Sequence, residues 1–355
     1  RLAPSDLQTG DAFGGTGPSL GGGSIAIDGD IIAVSAPLQD ASGLTDSGSV
    51  YIFQRSALDR NVWNQIVKIV APVGERGAGD QFGKALALSG STLVVGAPYG
   101  NKPLADSGVC YVFGQNIGGA NAWGFSQKLV PTASAIDAAA TDYFGYSVAI
   151  DGNMLAIGAP GANSATASDI GAVYLFSRPT VGGTWTQSKK VHNFADPEAS
   201  SSDYFGFDVD ISKNTLVVGA PQSDRVVQGA VRIHTGAAFV FERNLGGNDN
   251  WGLSKRLRES IPVQGDLLGR SVSIVNDLII VGVPKQLSDI NPTSDAGYVN
   301  VYRRELGGAE NWGLLDFLQP SVPTLIDQFG VSMPLAAIEW RSTAARAPTD
   351  WARAH

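Results

Sequence analysis

The residues best able to do chemistry in this chain are few and scattered. His192, His234 and His355 are the only histidines. They share no metal-ligand spacing and occur in no nucleophile motif, which argues against zinc and triad chemistry. Cys110 is the single cysteine, so no intrachain disulfide can form, and its place in an apolar run reads as a small buried hydrophobe. The glycine-rich stretch from Gly14 to Gly23 lacks the Lys-Ser/Thr and the following helix of a phosphate loop. Asp and Glu occur throughout the loops, and no pair stands apart as the acid and base of a glycoside hydrolase would. The expectation is a noncatalytic protein. What remains is binding chemistry, in three variable loops. Tyr99, Asn101 and Lys102 lie in one, Arg225, Arg232 and His234 in the longest, and Lys285 in a third. The longest has a local positive character against a net charge of −8, and that net charge makes nucleic acid a poor partner.

The elements that must hold these loops are written as a repeat. Asp-x-Phe-Gly opens copies at Asp11, Asp80, Asp142, Asp203 and Asp327, and Asp266-Leu267-Leu268-Gly269 is a degenerate copy. Gly-Ala-Pro follows at Gly96, Gly158 and Gly219, with weaker forms at Ser35-Ala36-Pro37 and Gly282-Val283-Pro284. From the aromatic (or Leu268) to the first residue of the triplet is 14 residues in four copies and 22 in the first, which carries an insertion from Gly15 to Gly22. A fixed period of this kind marks units that cannot bury their own apolar face and must stack on neighbours.

Each copy reads as four strands. Two short apolar runs flank a turn such as Asp151-Gly152-Asn153, a hairpin signal, and Pro ends the second because it cannot donate to a ladder. A variable loop precedes a third run, such as Gly108 to Phe113, and a second loop leads to a recurring Trp (Trp63, Trp123, Trp185, Trp251, Trp312). The fourth run is more polar, as in Ser126-Gln127-Lys128-Leu129-Val130. Three apolar strands and one half-wet strand describe a propeller blade, sandwiched inside and wet outside. The fold expected is all-β: a β-propeller of four-stranded antiparallel blades, five complete and a sixth represented by its first strand at most. Phe, Ala and Trp of each copy are expected between blades, and the Asp before the aromatic is expected to accept backbone N–H bonds in the loop entering the first strand.

Taken together, the two half-motifs resemble the FG-GAP repeat family, whose best-known members are the N-terminal propellers of integrin α subunits. The resemblance covers residues 1–332. It implies an extracellular or cell-surface scaffold that binds a protein or glycan through its inter-strand loops. The alternative is an accessory module of a secreted hydrolase or lyase whose catalytic domain lies elsewhere. It also implies a longer parent closed with seven blades. Integrin blades carry calcium in an Asp/Asn-rich loop between the first two strands. Here those hairpins are Asp28-Gly29-Asp30, Ser89-Gly90-Ser91, Asp151-Gly152-Asn153, Ser212-Lys213-Asn214 and Val275-Asn276-Asp277, too short to wrap six to eight oxygens round the ion. No cofactor is expected, with calcium left open in Asp-bearing loops such as Asp40 with Asp46 or Asp289 with Asp295.

No run of about twenty apolar residues is present, so no membrane span is expected. Arg1-Leu2-Ala3-Pro4 matches the end of a fourth strand, and the chain reads as a mature or excised segment that begins inside a repeat. After Ser332 the pattern collapses into an Ala- and Arg-rich tail, 333–355. Leu335 to Arg341, read in a shifted frame with GC-rich codons, can restore a turn and strand like Asp151 to Ala156. A frameshift near residue 333 and a divergent, partly disordered terminus are the two readings of that tail.

Overall fold

The computed structural model describes residues 2–15, 24–101, 104–132, 140–164, 167–192, 200–284, 297–306, 308, 311–320 and 329–332. Lys102, Lys285, Asp289, Asp295, Asp327 and the tail after residue 332 lie outside the described residues.

Among the described residues the chain forms five four-stranded antiparallel sheets and one two-stranded ribbon. Blade one is β1 (Ile25–Asp28), β2 (Ile31–Ala36), β3 (Ser49–Arg55) and β4 (Trp63–Ile69). Blade two is β5 (Ala85–Ser89), β6 (Thr92–Ala97), β7 (Val109–Gln115) and β8 (Trp123–Leu129). Blade three is β9 (Ser147–Asp151), β10 (Met154–Ala159), β11 (Ala172–Ser177) and β12 (Thr186–Val191). Blade four is β13 (Val209–Ser212), β14 (Thr215–Ala220), β17 (Ala237–Glu242) and β18 (Gly252–Leu257), interrupted by the ribbon β15 (Arg225–Val227) and β16 (Ala230–Arg232). Blade five is β19 (Val272–Val275), β20 (Leu278–Val283), β21 (Tyr298–Arg304) and β22 (Trp312–Leu318). This is the blade-based propeller that the repeat predicts, and among the described residues no strand pairing joins the sheets of blades one and five. The sixth copy contributes Phe329 to Ser332 to the described residues.

The first two strands of every blade turn on two residues, Gly29-Asp30, Gly90-Ser91, Gly152-Asn153, Lys213-Asn214 and Asn276-Asp277, the first always at positive φ. The ladder between third and fourth strands shifts register at one equivalent place in all five blades, as at Val112/Phe113 and Leu175/Phe176. Such bulges increase local twist and let the half-wet outer strand splay from the core.

Phe-Gly is a clip between blades. The Phe144 N–H donates to Ser107 O of blade two at 3.1 Å, and the Gly145 N–H donates to Gly158 O of its own blade at 3.0 Å. The same pair of bonds recurs at Phe82-Gly83, Phe205-Gly206 and Leu268-Gly269. Phe82, Phe144, Phe205 and Leu268 are fully buried, each in a cluster drawn from two adjacent blades, which also holds Ala97, Ala159 or Ala220 where the triplet is complete. Trp123, Trp185, Trp251 and Trp312 join those clusters, while Trp63 is half-buried under the N-terminal segment with Leu2, Leu7 and Phe13. The glycine of Gly-Ala-Pro is needed for close approach: a Cβ on Gly158 would lie 2.1 Å from Gly206 O, and one on Gly219 2.0 Å from Gly269 O.

The Asp that opens each copy does what the sequence predicts in the copies opening at Asp11, Asp203 and Asp266. Its carboxylate accepts the N–H three residues upstream, from Gln8, Ser200 and Val263. Carboxylates also bridge the inner strands of neighbouring blades, where no ladder forms. Asp28 accepts from Gly90 N, Asp208 from Val272 N and Asp210 from Ile274 N, at 2.6, 2.8 and 2.7 Å.

Candidate ligand-binding face

The loop between second and third strands leaves from the end of Gly-Ala-Pro, and the bond from Gly83 N to Gly96 O places the start of the inner strand beside that point. Variable loops and inner-strand entrances therefore share one face. On it, Tyr99 packs edge-on against Tyr143 with ring centroids 5.5 Å apart, joining a loop of blade two to the entrance of blade three. Asn101 braces the same loop, its Oδ1 accepting the Asp106 N–H at 3.1 Å.

The longest loop is not irregular. It folds into the ribbon β15–β16, with Arg225 opposite Arg232 and Val226 opposite Val231, around a Gln228-Gly229 turn whose residues both have positive φ. The Arg225 guanidinium donates to Glu259 O, and Asp224 Oδ1 accepts the His234 backbone N–H at 2.9 Å. Arg225 and the backbone of His234 thus anchor the ribbon, Arg232 is exposed on it, and Val226, Val231 and Ile233 face solvent. Asp40 Oδ1 accepts the Asp46 N–H at 3.0 Å, a loop-closing bond. Among the described residues no three His, Cys, Asp or Glu side chains converge as a cation site would require.

Sequence reasoning missed the centre of this face. The inner strands β1, β5, β9, β13 and β19, with Ser332, line a channel of about 700 Å³. Lys84, Tyr146 and Phe207 stand at its rim and Arg270 stacks on Phe207 beside it, each the residue directly after Phe-Gly (or Leu-Gly) in four successive blades. The Lys84 ammonium lies 5.4 Å from the Tyr146 ring centroid. Tyr146 and Phe207 are 5.0 Å apart and tilted by 53°. The Arg270 guanidinium sits 4.4 Å over Phe207. The order round the rim is cation, ring, ring, cation. Burial, and then the charge of Arg270, push the Lys84 ammonium down to about 8. Burial raises the Tyr146 phenol to about 12 and lowers Arg270. Deeper in the wall, burial raises Asp208 to about 7 and Asp210 to about 6, against the backbone N–H bonds both accept. One signal could have found the rim. The position after Phe-Gly reads Gly15, Lys84, Tyr146, Phe207, Arg270 and Val331, differing in every copy beside a nearly fixed pair.

This face offers recognition chemistry: aromatic rings, fixed cations, and loops held by their own hydrogen bonds. His192 follows blade three and His234 precedes the third strand of blade four. No helix of the described residues is long and apolar enough to cross a membrane.

Among solved structures, a candidate 6-phosphogluconolactonase from Bacteroides uniformis is similar at a TM-score of 0.51 and 8% identity, over 90% of this chain and 75% of that one. Sqt1 from Chaetomium thermophilum gives 0.45 and 17%, over 84% of this chain and 62% of that one, so the chain spans less than two thirds of that relative. A Lactobacillus plantarum protein gives 0.44 and 11%, over 87% and 73%. At these identities the likeness concerns the fold alone. No curated protein sequence matches significantly. The family profile described as FG-GAP repeat matches residues 1–53, 63–113, 123–176 and 185–241, more than half of the chain. With the clips, blades and glycine contacts repeating as that motif requires, the chain belongs to the FG-GAP repeat family.

Proposed function

We propose that this chain is a noncatalytic binding propeller, which captures an extracellular protein or glycan on the face bearing the loops between second and third strands. FG-GAP repeats are typical of extracellular proteins. The observation that carries the reading is the β15–β16 ribbon. It places Val226 (53% exposed) and Val231 (58% exposed) side by side on a hydrogen-bonded platform that Arg225 ties to the body and the bond between His234 and Asp224 closes at its base. Apolar side chains held out on a rigid scaffold are what a recognition surface needs. The test is capture of the labelled chain on arrays of glycans and matrix proteins, comparing the native protein with Val226→Asp and Val231→Asp. Reduced capture at an unchanged melting temperature is expected. An array on which nothing is captured, or capture indifferent to both changes and to changes at Tyr99 and Arg232, would remove the reading.

A further inference from the structure

We propose that the face opposite the variable loops docks on a zwitterionic lipid surface, through one aliphatic loop tip from each of the five blades. This surface is separate from the ligand-binding face and goes beyond the function proposed above.

The loop between third and fourth strands leaves beside the hairpin that joins the first two. Arg55 N donates to Asp30 O, Gln115 N to Ser91 O, Arg178 N to Asn153 O, Arg243 N to Asn214 O and Arg304 N to Asp277 O, at 2.8 to 3.1 Å. These loops therefore lie at the end of each blade away from Gly-Ala-Pro. Each carries one aliphatic residue into solvent: Leu58 (100% exposed), Ile117 (43%), Val181 (63%), Leu245 (46%) and Leu306 (50%). A lone exposed aliphatic residue is ordinary. One in the equivalent loop of every blade marks a contact surface.

The tips are held in place by their own loops. Ser56 Oγ accepts the Leu58 N–H at 3.2 Å, Asn116 Oδ1 the Asn121 N–H at 2.9 Å and Asn244 Oδ1 the Asp249 N–H at 3.1 Å. Ile117 and Leu245 rest one side on a glycine of the following strand. A Cβ on Gly124 would lie 2.6 Å from Ile117 Cγ2, and one on Gly252 3.0 Å from Leu245 Cγ. The other side of each faces water. Phe125, Leu253 and Leu314, near the start of β8, β18 and β22, are 44–54% exposed and widen the apolar surface.

Two features choose the partner. The five tips are Leu, Ile, Val, Leu and Leu, alike in being aliphatic and in nothing more specific. A protein partner would meet different blades with different groups, whereas a laterally uniform surface meets every blade in the same way. Apolar side chains set into the boundary between headgroups and acyl chains are the contact that such a surface makes. Charge then selects the lipid. Beside the tips, Arg55 and Arg60 pair with Asp30, Arg243 with Asp249 and Arg304 with Asp277. With these cations paired and a net charge of −8, the chain is repelled by an anionic bilayer.

The experiment is flotation of the whole chain with phosphatidylcholine vesicles and with vesicles that also contain phosphatidylserine. Melting temperature and light scattering are recorded for native protein, Leu58→Asp, Val181→Asp, Leu306→Asp and Leu58→Trp. The native chain is expected to float with phosphatidylcholine. Each aspartate is expected to reduce partitioning by about tenfold at an unchanged melting temperature, the loss of one inserted aliphatic side chain. Leu58→Trp is expected to increase it, since indole favours the interface. No flotation, flotation indifferent to the tips, or flotation that requires phosphatidylserine would each overturn the proposal. So would dimers in light scattering that the same substitutions disperse, which would make the tips an interface between copies. Array capture that depends on Val226 and Val231 and persists without flotation would leave the ligand-binding reading standing and remove this surface alone.

Discussion

Phe144 and Tyr146 stand two residues apart at the entrance to one strand and obey different rules. Phe144 is 0% exposed, wedged between blades two and three, and its counterparts Phe82, Phe205 and Leu268 are equally hidden. Tyr146 sits half-buried at the channel rim, and its counterparts are a lysine, a second aromatic and an arginine. The first position faces another copy of the same motif, so any successful solution is a solution for every blade. The second faces the channel, where no two blades need to present the same group. Repetition records what a blade asks of its neighbour. Departure from it marks a position that no neighbouring blade constrains.

That contrast can be broken by substitution. Phe144→Ala is expected to cost about 3–5 kcal/mol in chemical denaturation, the usual range for an aromatic removed from a packed core. Gly158→Ala, which drives a Cβ to 2.1 Å from Gly206 O, is expected to cost about 1–3 kcal/mol as an overpacked seam. A drop in melting temperature is its readout, and an unchanged value would mean that the seam gives way freely.

The channel wall adds a pH test. Asp208 and Asp210 are raised to about 7 and about 6 in the folded protein, chiefly by burial. The folded state therefore holds their protons more tightly than the unfolded chain does. Their contribution to stability is full below the ordinary carboxylate range near 4 and is lost as pH rises through 6 to 7. Asp208→Asn should flatten the stability profile across that window, and an undiminished slope would mean that Asp208 is ionised throughout. Tyr146→Ala is expected to cost only about 0.5–1.5 kcal/mol, the worth of an aromatic pair. If it matched Phe144→Ala, the distinction between seam and rim would fail. Leu58, 100% exposed at a loop tip, should tolerate alanine within about 0.5 kcal/mol by the same denaturation assay.

How much of this could be read from sequence follows the same line. The spacing from Phe144 to Gly158 specifies a hairpin and a seam, and even Leu268 takes the place of its aromatic counterparts. The residue between Asp and Phe was opaque. Ala12, Gln81, Tyr143, Tyr204 and Leu267 all adopt positive φ, between 52° and 57°, yet share no side-chain property that favours it. In the four copies opening at Asp80, Asp142, Asp203 and Asp266 that backbone is followed by bonds to two blades at once, as where Phe144 N reaches Ser107 O and Gly145 N reaches Gly158 O. The ribbon between Gln222 and Thr235 left a weak trace, two short apolar runs around Gln228-Gly229. Arg225 and His234 were legible as loop residues, but their service as anchors depends on Glu259 and Asp224, which no local pattern links to them. The rim was hidden for a different reason. Its four members are about sixty residues apart and chemically unlike, and they meet only because consecutive blades place equivalent positions side by side.

The clip has a consequence for how such a protein changes over generations. Gly158 meets Gly206 O, Gly219 meets Gly269 O and Gly282 meets Gly330 O in nearly the same way. Each copy thus carries both halves of one joint. A duplication or deletion spanning a whole copy, cut at any equivalent point, would leave every surviving joint matched without a compensating mutation. Gene length can then vary in steps of one blade, and each step inserts or removes one residue at the rim.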